Sequence, residues 1–314
     1  MREIDCINSF INNYRRSSEQ KNKPFESDAE IVDINGQLYG FTIDEFSNEE
    51  DLFDDNDLFR LGKNLVIATI SDLLASCCVP MFYMHSIVVP KNDPDFATGI
   101  SIGIQDALTR CGCFLIGGDM GQSENWRYTG VALGIFIDNK PITRIIPTKE
   151  QNLWITGTLG DANLSALTGI STPEFELRIN EAEIIQKVAN SCIDTSGGFM
   201  ESLWTLRMLN PKLSFHVYPT SIPFDKKVLY FCKESSIPKA AFLFGGAGEY
   251  ELLFATDTNI EISNATKIGF VKPSANSQIY WGNKEIKSPP PDAREFESKE
   301  LYIQNIIESV NQCI

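Results

Sequence analysis

The sequence predicts an α/β (α+β) fold in two domains, on three observations. Apolar runs with strand spacing and apolar patterns with helical spacing succeed one another along the chain. At 314 residues, 43% of them hydrophobic, the chain exceeds what one core usually supports. A polar break at Asn139-Lys-Pro-Ile-Thr-Arg144 then separates two stretches of similar style, giving 1–140 as an N-terminal domain and 141–314 as a C-terminal one.

Taken in order, Ile4, Ile7, Phe10, Ile11 and Tyr14 predict an opening amphipathic helix that ends near Arg15-Arg16. Residues 30–43 read as a hairpin turning at Asn35-Gly36, which puts Asp28 and Asp44 at the same end. Between Asn48 and Asp57 lie six carboxylates in a solvated loop, followed by a helix from Leu58 to Ser76 that carries Asp72 in a mainly apolar stretch. That carboxylate needs a partner, a cation among the candidates, unless it sits on the helix surface. Met81 to Val89 is a strand, Pro94 opens a helix that Gly112 stops, and Trp126 to Ile137 is a long strand. In the second half, strands are predicted at 153–157, 191–194, 240–244, 250–254, 268–271 and 278–281. Helices are predicted after Gly160-Asp161, at 177–189, after Ser196-Gly-Gly198, and at 301–310.

One stretch carries chemistry more plainly than the rest. Phe114-Leu-Ile116 runs into Gly117-Gly118-Asp119, read as a loop in which bare amides meet an anion and Asp119 holds a divalent cation, although Gly-Gly-Asp is also ordinary turn chemistry. Amides at the helix start after Ser196-Gly-Gly198 offer a second anion-binding end. The formal charge of -15 excludes a basic surface for nucleic acid or anionic membrane, so a phosphorylated ligand has to arrive with metal ions. Eight cysteines without a Cys-x-x-Cys pair, and only His85 and His216 beside them, give neither a zinc spacing nor a disulfide framework. Residues 1–24 lack the apolar core of a signal peptide and no run is apolar enough to span a bilayer, so the expected location is the cytoplasm.

Five motifs in order carry a resemblance: Ser71-Asp72-Leu73 with Pro80 following, Gly117-Gly118-Asp119, Arg144 ahead of Leu153-Trp-Ile-Thr-Gly-Thr-Leu-Gly-Asp161-Ala162, Asp194-Thr-Ser196, and Gly248-Glu-Tyr-Glu-Leu-Leu-Phe254. Together they resemble the superfamily of aminoimidazole ribonucleotide (AIR) synthetase and thiamine-monophosphate kinase, the kinase branch being the nearer. The resemblance implies a PurM-like fold in which the N-terminal domains of two subunits pair their sheets, and hence a homodimer. It implies ATP and Mg2+ as cofactors and a small molecule as acceptor. Asp28, Thr42, Asp44, Asp72, Asp119 and Asp194 fall where the kinases place magnesium ligands. Gly118, Arg144 and Ser196 fall where they contact ATP, with Gly117 and Asp119 on the same stretch.

The departures are equally specific. The kinases' Gly-x-Gly-Asp-Asp-Ala is here Phe25-Glu-Ser-Asp28-Ala29, which keeps the second aspartate only. A histidine expected after Asp44 is replaced near Asp51, an aspartate after Ser196 is Gly197, a glutamate is Gly248, and Cys77 stands where a helix glycine is common. The ATP and magnesium positions survive for the most part, one metal ligand excepted, while the acceptor positions change. The expectation is therefore an ATP- and magnesium-dependent phosphotransferase of thiamine-monophosphate kinase type acting on another acceptor. AIR-synthase-type activation of an amide or carboxamide oxygen, with dehydration or cyclisation, is one alternative; a non-catalytic nucleotide-binding relative is the other. Cys313, near the C-terminus, does not follow the proline-arginine tail of the carbamoyl-dehydrating hydrogenase-maturation branch.

Overall fold

The hairpin predicted at Asn35-Gly36 forms because both residues accept positive φ, 55° and 86°, which matches the strand twist. In the computed structural model, which describes residues 9–313 other than 12, 52, 92 and 259, it joins β1 (Glu30–Ile34) to β2 (Gln37–Ser47). With β3 (Val79–Pro90), β4 (Phe114–Ser123) and β5 (Arg127–Ile135) these strands form a sheet of order β1-β2-β5-β3-β4. All pairings are antiparallel except β3 with β4. Most of the predicted opening helix lies outside the described residues; residues 9–11 are helical.

Helix α1 (Leu58–Ala75) starts where Asp57 accepts the Arg60 amide, 3.0 Å, and is buried along nearly its whole length. It is mainly apolar because it packs on β2, β3 and β5 of this sheet and also on β7 of the other. Helix α2 (Phe96–Arg110) lies against it, with Gly103 so close that a Cβ there would stand 1.9 Å from the Phe59 carbonyl oxygen. Past Ser76 the chain leaves α1 through Cys77 at φ 57°, with the Cys77 and Cys78 amides bonded to the Leu74 and Leu73 carbonyls. That left-handed position is the physical reason a glycine is common there.

The second half holds a seven-stranded sheet of order β12-β11-β8-β10-β6-β9-β7. Its strands are β6 (Gln151–Thr156), β7 (Ser191–Asp194), β8 (Leu213–Val217), β9 (Leu252–Thr256), β10 (Ala265–Pro273), β11 (Gln278–Trp281) and β12 (Lys284–Ile286). Six helices accompany it: α3 (Asp161–Thr168), α4 (Ile179–Val188), α5 (Phe199–Leu209), α6 (Lys226–Glu234), α7 (Ala241–Phe244) and α8 (Lys299–Cys313). One core lies wholly within this half, while the other runs from α1 and α2 into Ile185, Cys192, Tyr250 and Phe254. The segment expected to be a linker is fastened down. Ile142, Arg144 and Thr143 bond through the backbone to Ser76, Glu26 and Cys192.

Two expectations are corrected. Gly117-Gly118-Asp119 is no loop: β4 continues through it to Ser123, and neither glycine has a positive φ. The parallel partner β3 supplies hydrogen-bond partners past Ile116, and a register shift at Tyr83/Met84 absorbs the extra residue. Residues 240–244, expected as a strand, form the short helix α7. Pro238 and the residues after it accept its first amides, and a five-residue apolar run has no period to distinguish the two.

Candidate active site

The loop before β1, strand β2, the end of α1 and the end of β7 meet at one point. Because α1 is wedged between the two sheets, its last turn brings Asp72 up to the ends of strands from both. One carboxylate oxygen each from Asp28, Asp72 and Asp194 lies within 4.8 Å of the others. Thr42 Oγ1 donates to Asp72 Oδ2 at 2.5 Å, and Ser71 Oγ, one residue earlier on α1, donates to Asp194 Oδ2. Ser196 donates to the other Asp194 oxygen, 2.7 Å from Oγ and 3.3 Å from the amide. The Asp194 amide itself points at Asp28 Oδ1, 3.4 Å away.

Three carboxylates at this spacing, Asp194 buried and the other two half-buried, repel one another. Burial first, then the charges of Asp44, Asp194 and Asp28, pushes the Asp72 carboxyl well above its ordinary range. Burial and Asp28 push Asp194 up to about 6. One cation is already present: Arg144 grips Asp28 with both arms, Nε to Oδ2 at 3.0 Å and a terminal nitrogen to Oδ1 at 2.7 Å. Burial works against that charge, yet Asp28, then Asp72 and Asp194, outweigh it and hold the guanidinium above its ordinary value. The donor set is carboxylate and hydroxyl oxygen throughout. It suits a hard divalent cation, and a cation here would relieve the repulsion that raises Asp72 and Asp194.

Of the residues singled out in the sequence, Asp28, Thr42, Asp72, Asp194, Arg144 and Ser196 therefore meet, and Asp44 acts on Asp72 from β2. Gly117, Gly118 and Asp119 do not join them within one chain. Asp119 pairs with Ser86, Ser86 with Thr129 and Thr129 with Glu45, so three strand spacings of about 4.8 Å separate it from β2. It is exposed on the edge strand. Gly118 serves a packing role there, since a Cβ would meet the His85 ring at 2.5 Å, while nothing lies within 4 Å of one at Gly117.

The changed positions differ in kind. Asp51 sits in the acidic loop with Oδ2 accepting the Ser47 amide at 2.7 Å, and burial pushes its carboxyl up to about 6. A Cβ on Gly197 would touch only the Glu201 side chain, at 3.3 Å and beyond, so a side chain fits. A Cβ on Gly248 would stand 2.4 Å from the Ser196 carbonyl oxygen and 2.9 Å from the Tyr250 ring, so none does. The next residue, Glu249, turns away to accept the Gly160 and Ala162 amides at the start of α3, 2.7 and 3.3 Å. Sequence reasoning missed Ser71 and Tyr250 as parts of this site. Ser71 stands in the motif beside Asp72, whereas the position of Tyr250 depends on a left-handed backbone that no residue pattern announces.

Residues 26–136 match the family model for the AIR synthase related protein N-terminal domain. The thiamine-monophosphate kinase of Pyrococcus horikoshii is 26% identical over 267 residues, covering 81% of this chain and 82% of that one. That of Archaeoglobus fulgidus is 25% identical, covering 76% and 82%. Among solved structures, the thiamine monophosphate kinase of Aquifex aeolicus superposes with a TM-score of 0.74 at 17% identity, covering 92% of this chain and all of that one. A related structure complexed with AMPPCP and TMP gives 0.74 at 18% identity over 88% of this chain and 91% of that one. The hydrogenase maturation protein HypE of E. coli gives 0.67 at 15%, covering 93% and 99%, a likeness of fold. On this match and these relatives, residues 26–136 carry an AIR synthase related N-terminal domain, and the chain is similar to the thiamine-monophosphate kinases over most of its length.

Proposed function

We propose that the chain is an ATP- and magnesium-dependent phosphotransferase that acts on a small-molecule acceptor other than thiamine monophosphate. The observation that carries this reading is the convergence of Asp28, Asp72 and Asp194 from three separate segments onto one 4.8 Å cluster. Phosphoryl transfer asks a protein for positioning and charge neutralisation and needs no dedicated nucleophile. In this reading Asp28, Asp44, Asp72 and Asp194, with Thr42, would hold magnesium, which would offset the charge that the cluster presents to a polyanion. Arg144 and Ser196 stand beside it for the nucleotide. The acceptor oxygen would bond to the γ-phosphorus as the bond from that phosphorus to the bridging oxygen breaks, ADP leaving with that oxygen and the acceptor's proton passing to solvent.

A homodimer through the first sheet is part of the proposal. Strand β4 is an edge strand, and it exposes Phe114 (70%), Ile116 (58%) and Met120 (66%). An apolar, unpaired edge of that length invites pairing with a second copy. Asp119 lies on that same edge, so the face that would bury it is the partner's. No described helix is long and apolar enough to cross a membrane.

Calorimetry with ATP in the presence of magnesium and then of EDTA tests the reading. Binding is expected only with the metal, and comparable affinity in EDTA would sink the metal-bridged site.

A further inference from the structure

Cys111, Gly112 and Cys113 link the end of α2 to the start of β4. They do so through a Schellman ending. The Gly112 amide bonds to the Thr109 carbonyl at 3.2 Å, the Cys113 amide to the Leu108 carbonyl at 2.9 Å, and Gly112 takes φ 66°. A left-handed residue spaces its two neighbours as a right-handed helical one does, which puts their Cα atoms roughly 5.4 Å apart. A disulfide asks for about 4.4–6.8 Å, so the turn holds the two cysteines at bridging distance with its backbone bonds intact.

The thiols meet as well, both of them free. The Cys113 thiol donates to the Cys111 sulfur, and Cys111 Sγ lies 3.4 Å from the Leu108 carbonyl oxygen. That contact divides the pair. The Cys113 hydrogen bond holds the Cys111 thiol below its ordinary range against burial, while the same bond, then burial, pushes Cys113 up. Exposure divides them in the same sense, Cys111 being half-buried and Cys113 5% exposed. The other described cysteines differ: Cys77, Cys78 and Cys192 are buried, and burial pushes their thiols and that of the half-buried Cys232 up. Among the described cysteines, Cys111 alone joins partial exposure to a favoured thiolate, and a second thiol touches it.

We propose that Cys111 and Cys113 form a thiol–disulfide exchange pair, in which Cys111 attacks a low-molecular-weight disulfide and Cys113 resolves the mixed product. Cys111, its proton lost to solvent, bonds to one sulfur of the small disulfide; the S–S bond there breaks, and the first small thiolate leaves and takes a proton from solvent. Cys113 gives its proton to solvent as its sulfur bonds to Cys111 Sγ. The mixed S–S bond breaks, and the second small thiolate leaves and is protonated. Two protein thiols are thereby oxidised and one small disulfide is reduced to two thiols. The bridge ties the end of α2 to the root of β4, the strand that carries Asp119 and exposes Phe114, Ile116 and Met120.

The test is mass spectrometry of the folded full chain after reaction with oxidised glutathione and quenching with N-ethylmaleimide, which alkylates the remaining thiols. Trypsin cleaves after Arg110 and Arg127, so both sulfurs fall in the peptide 111–127. In the wild type that peptide should end unalkylated and about 2 Da below its reduced mass, while the peptides carrying Cys77, Cys78 and Cys192 are alkylated. A 111–127 peptide that stays alkylated or ends with glutathione attached, or buried cysteines that oxidise as fast, overturns the proposal. Cys113→Ser should trap one glutathione on Cys111, and Cys111→Ser should carry at least about tenfold less on the same peptide. Equal labelling of the two variants overturns the assignment of Cys111 as the attacking thiol. The wild-type result decides whether the pair exchanges even where a variant fails to fold.

Discussion

Replacing Asp72 by Asn separates the two roles that a buried carboxylate can have. Two unit charges 4.8 Å apart repel by about 3.5 kcal/mol at an effective dielectric of about 20, and Asp72 faces both Asp28 and Asp194 within that distance. Arg144 cancels much of the field of Asp28, and the raised carboxyls of Asp72 and Asp194 carry a proton part of the time. A net gain of about 1–3 kcal/mol for the metal-free variant follows, which for a chain of this size raises the melting temperature by roughly 2–6 °C. The gain has a pH sign. A carboxyl raised in the folded state contributes stability below its ordinary range and loses it as pH rises through the shifted value, whereas the amide loses nothing. The advantage of Asp72→Asn in EDTA should therefore grow from pH 5 to pH 8. With magnesium and ATP the advantage is offset, because ligand at 100-fold its Kd adds about 2.7 kcal/mol to the wild type and little to the variant. Thermal melts in EDTA and in MgATP read both effects. A variant that gains as much from MgATP as the wild type, or that melts well below it in EDTA at pH 8, would refute a metal-holding Asp72.

Gly103→Ala should destabilise the chain by about 3 kcal/mol in chemical denaturation, since its Cβ would lie 1.9 Å from the Phe59 carbonyl at the α1–α2 crossing, where neither backbone can yield alone. Glu249, pushed up to about 8 by burial despite two amide donors, should make stability fall by up to about 1.4 kcal/mol per pH unit between pH 5 and pH 8; Glu249→Gln should flatten that slope in denaturant titrations at successive pH values. The wild-type chain should sediment as a dimer at micromolar concentration and Met120→Glu on β4 as a monomer; a monomeric wild type would contradict the shared-sheet proposal.

Much of the fold was legible because it rests on local chemistry. Asn35-Gly36 specifies its turn, and the mainly apolar stretch after the acidic loop reads as a helix from Leu58, where the structure starts α1. The group formed by Asp28, Thr42, Asp72 and Asp194 was legible through motif order, and the structure supplies the distances. What was illegible depends on partners distant in sequence. Gly117-Gly118 reads as a turn until β3 is present to keep it extended, and Ala241–Phe244 reads as a strand until the chain around Pro238 starts a helix. Tyr250 was illegible for the same reason. It takes φ 56° and packs against Phe175, 75 residues earlier in the chain by their numbering, and beside Gly248.

Gly197 and Gly248 looked alike as lost acidic side chains, but their surroundings make them different substitutions, and a pair of variants exposes the difference. Gly197 precedes α5, where an acidic side chain complements the helix dipole, and its Cβ would meet only the flexible Glu201 side chain at 3.3 Å. Gly197→Asp should therefore fold within about 1 kcal/mol of the wild type, the dipole partly offset by the nearby charges of Glu201 and Asp194. Gly248→Glu must push its Cβ to 2.4 Å from a backbone carbonyl and 2.9 Å from the Tyr250 ring, and should cost about 3 kcal/mol or more. It should also displace the Tyr250 ring. Equal stability of the two variants in denaturant would mean that the backbone at Gly248 moves aside readily.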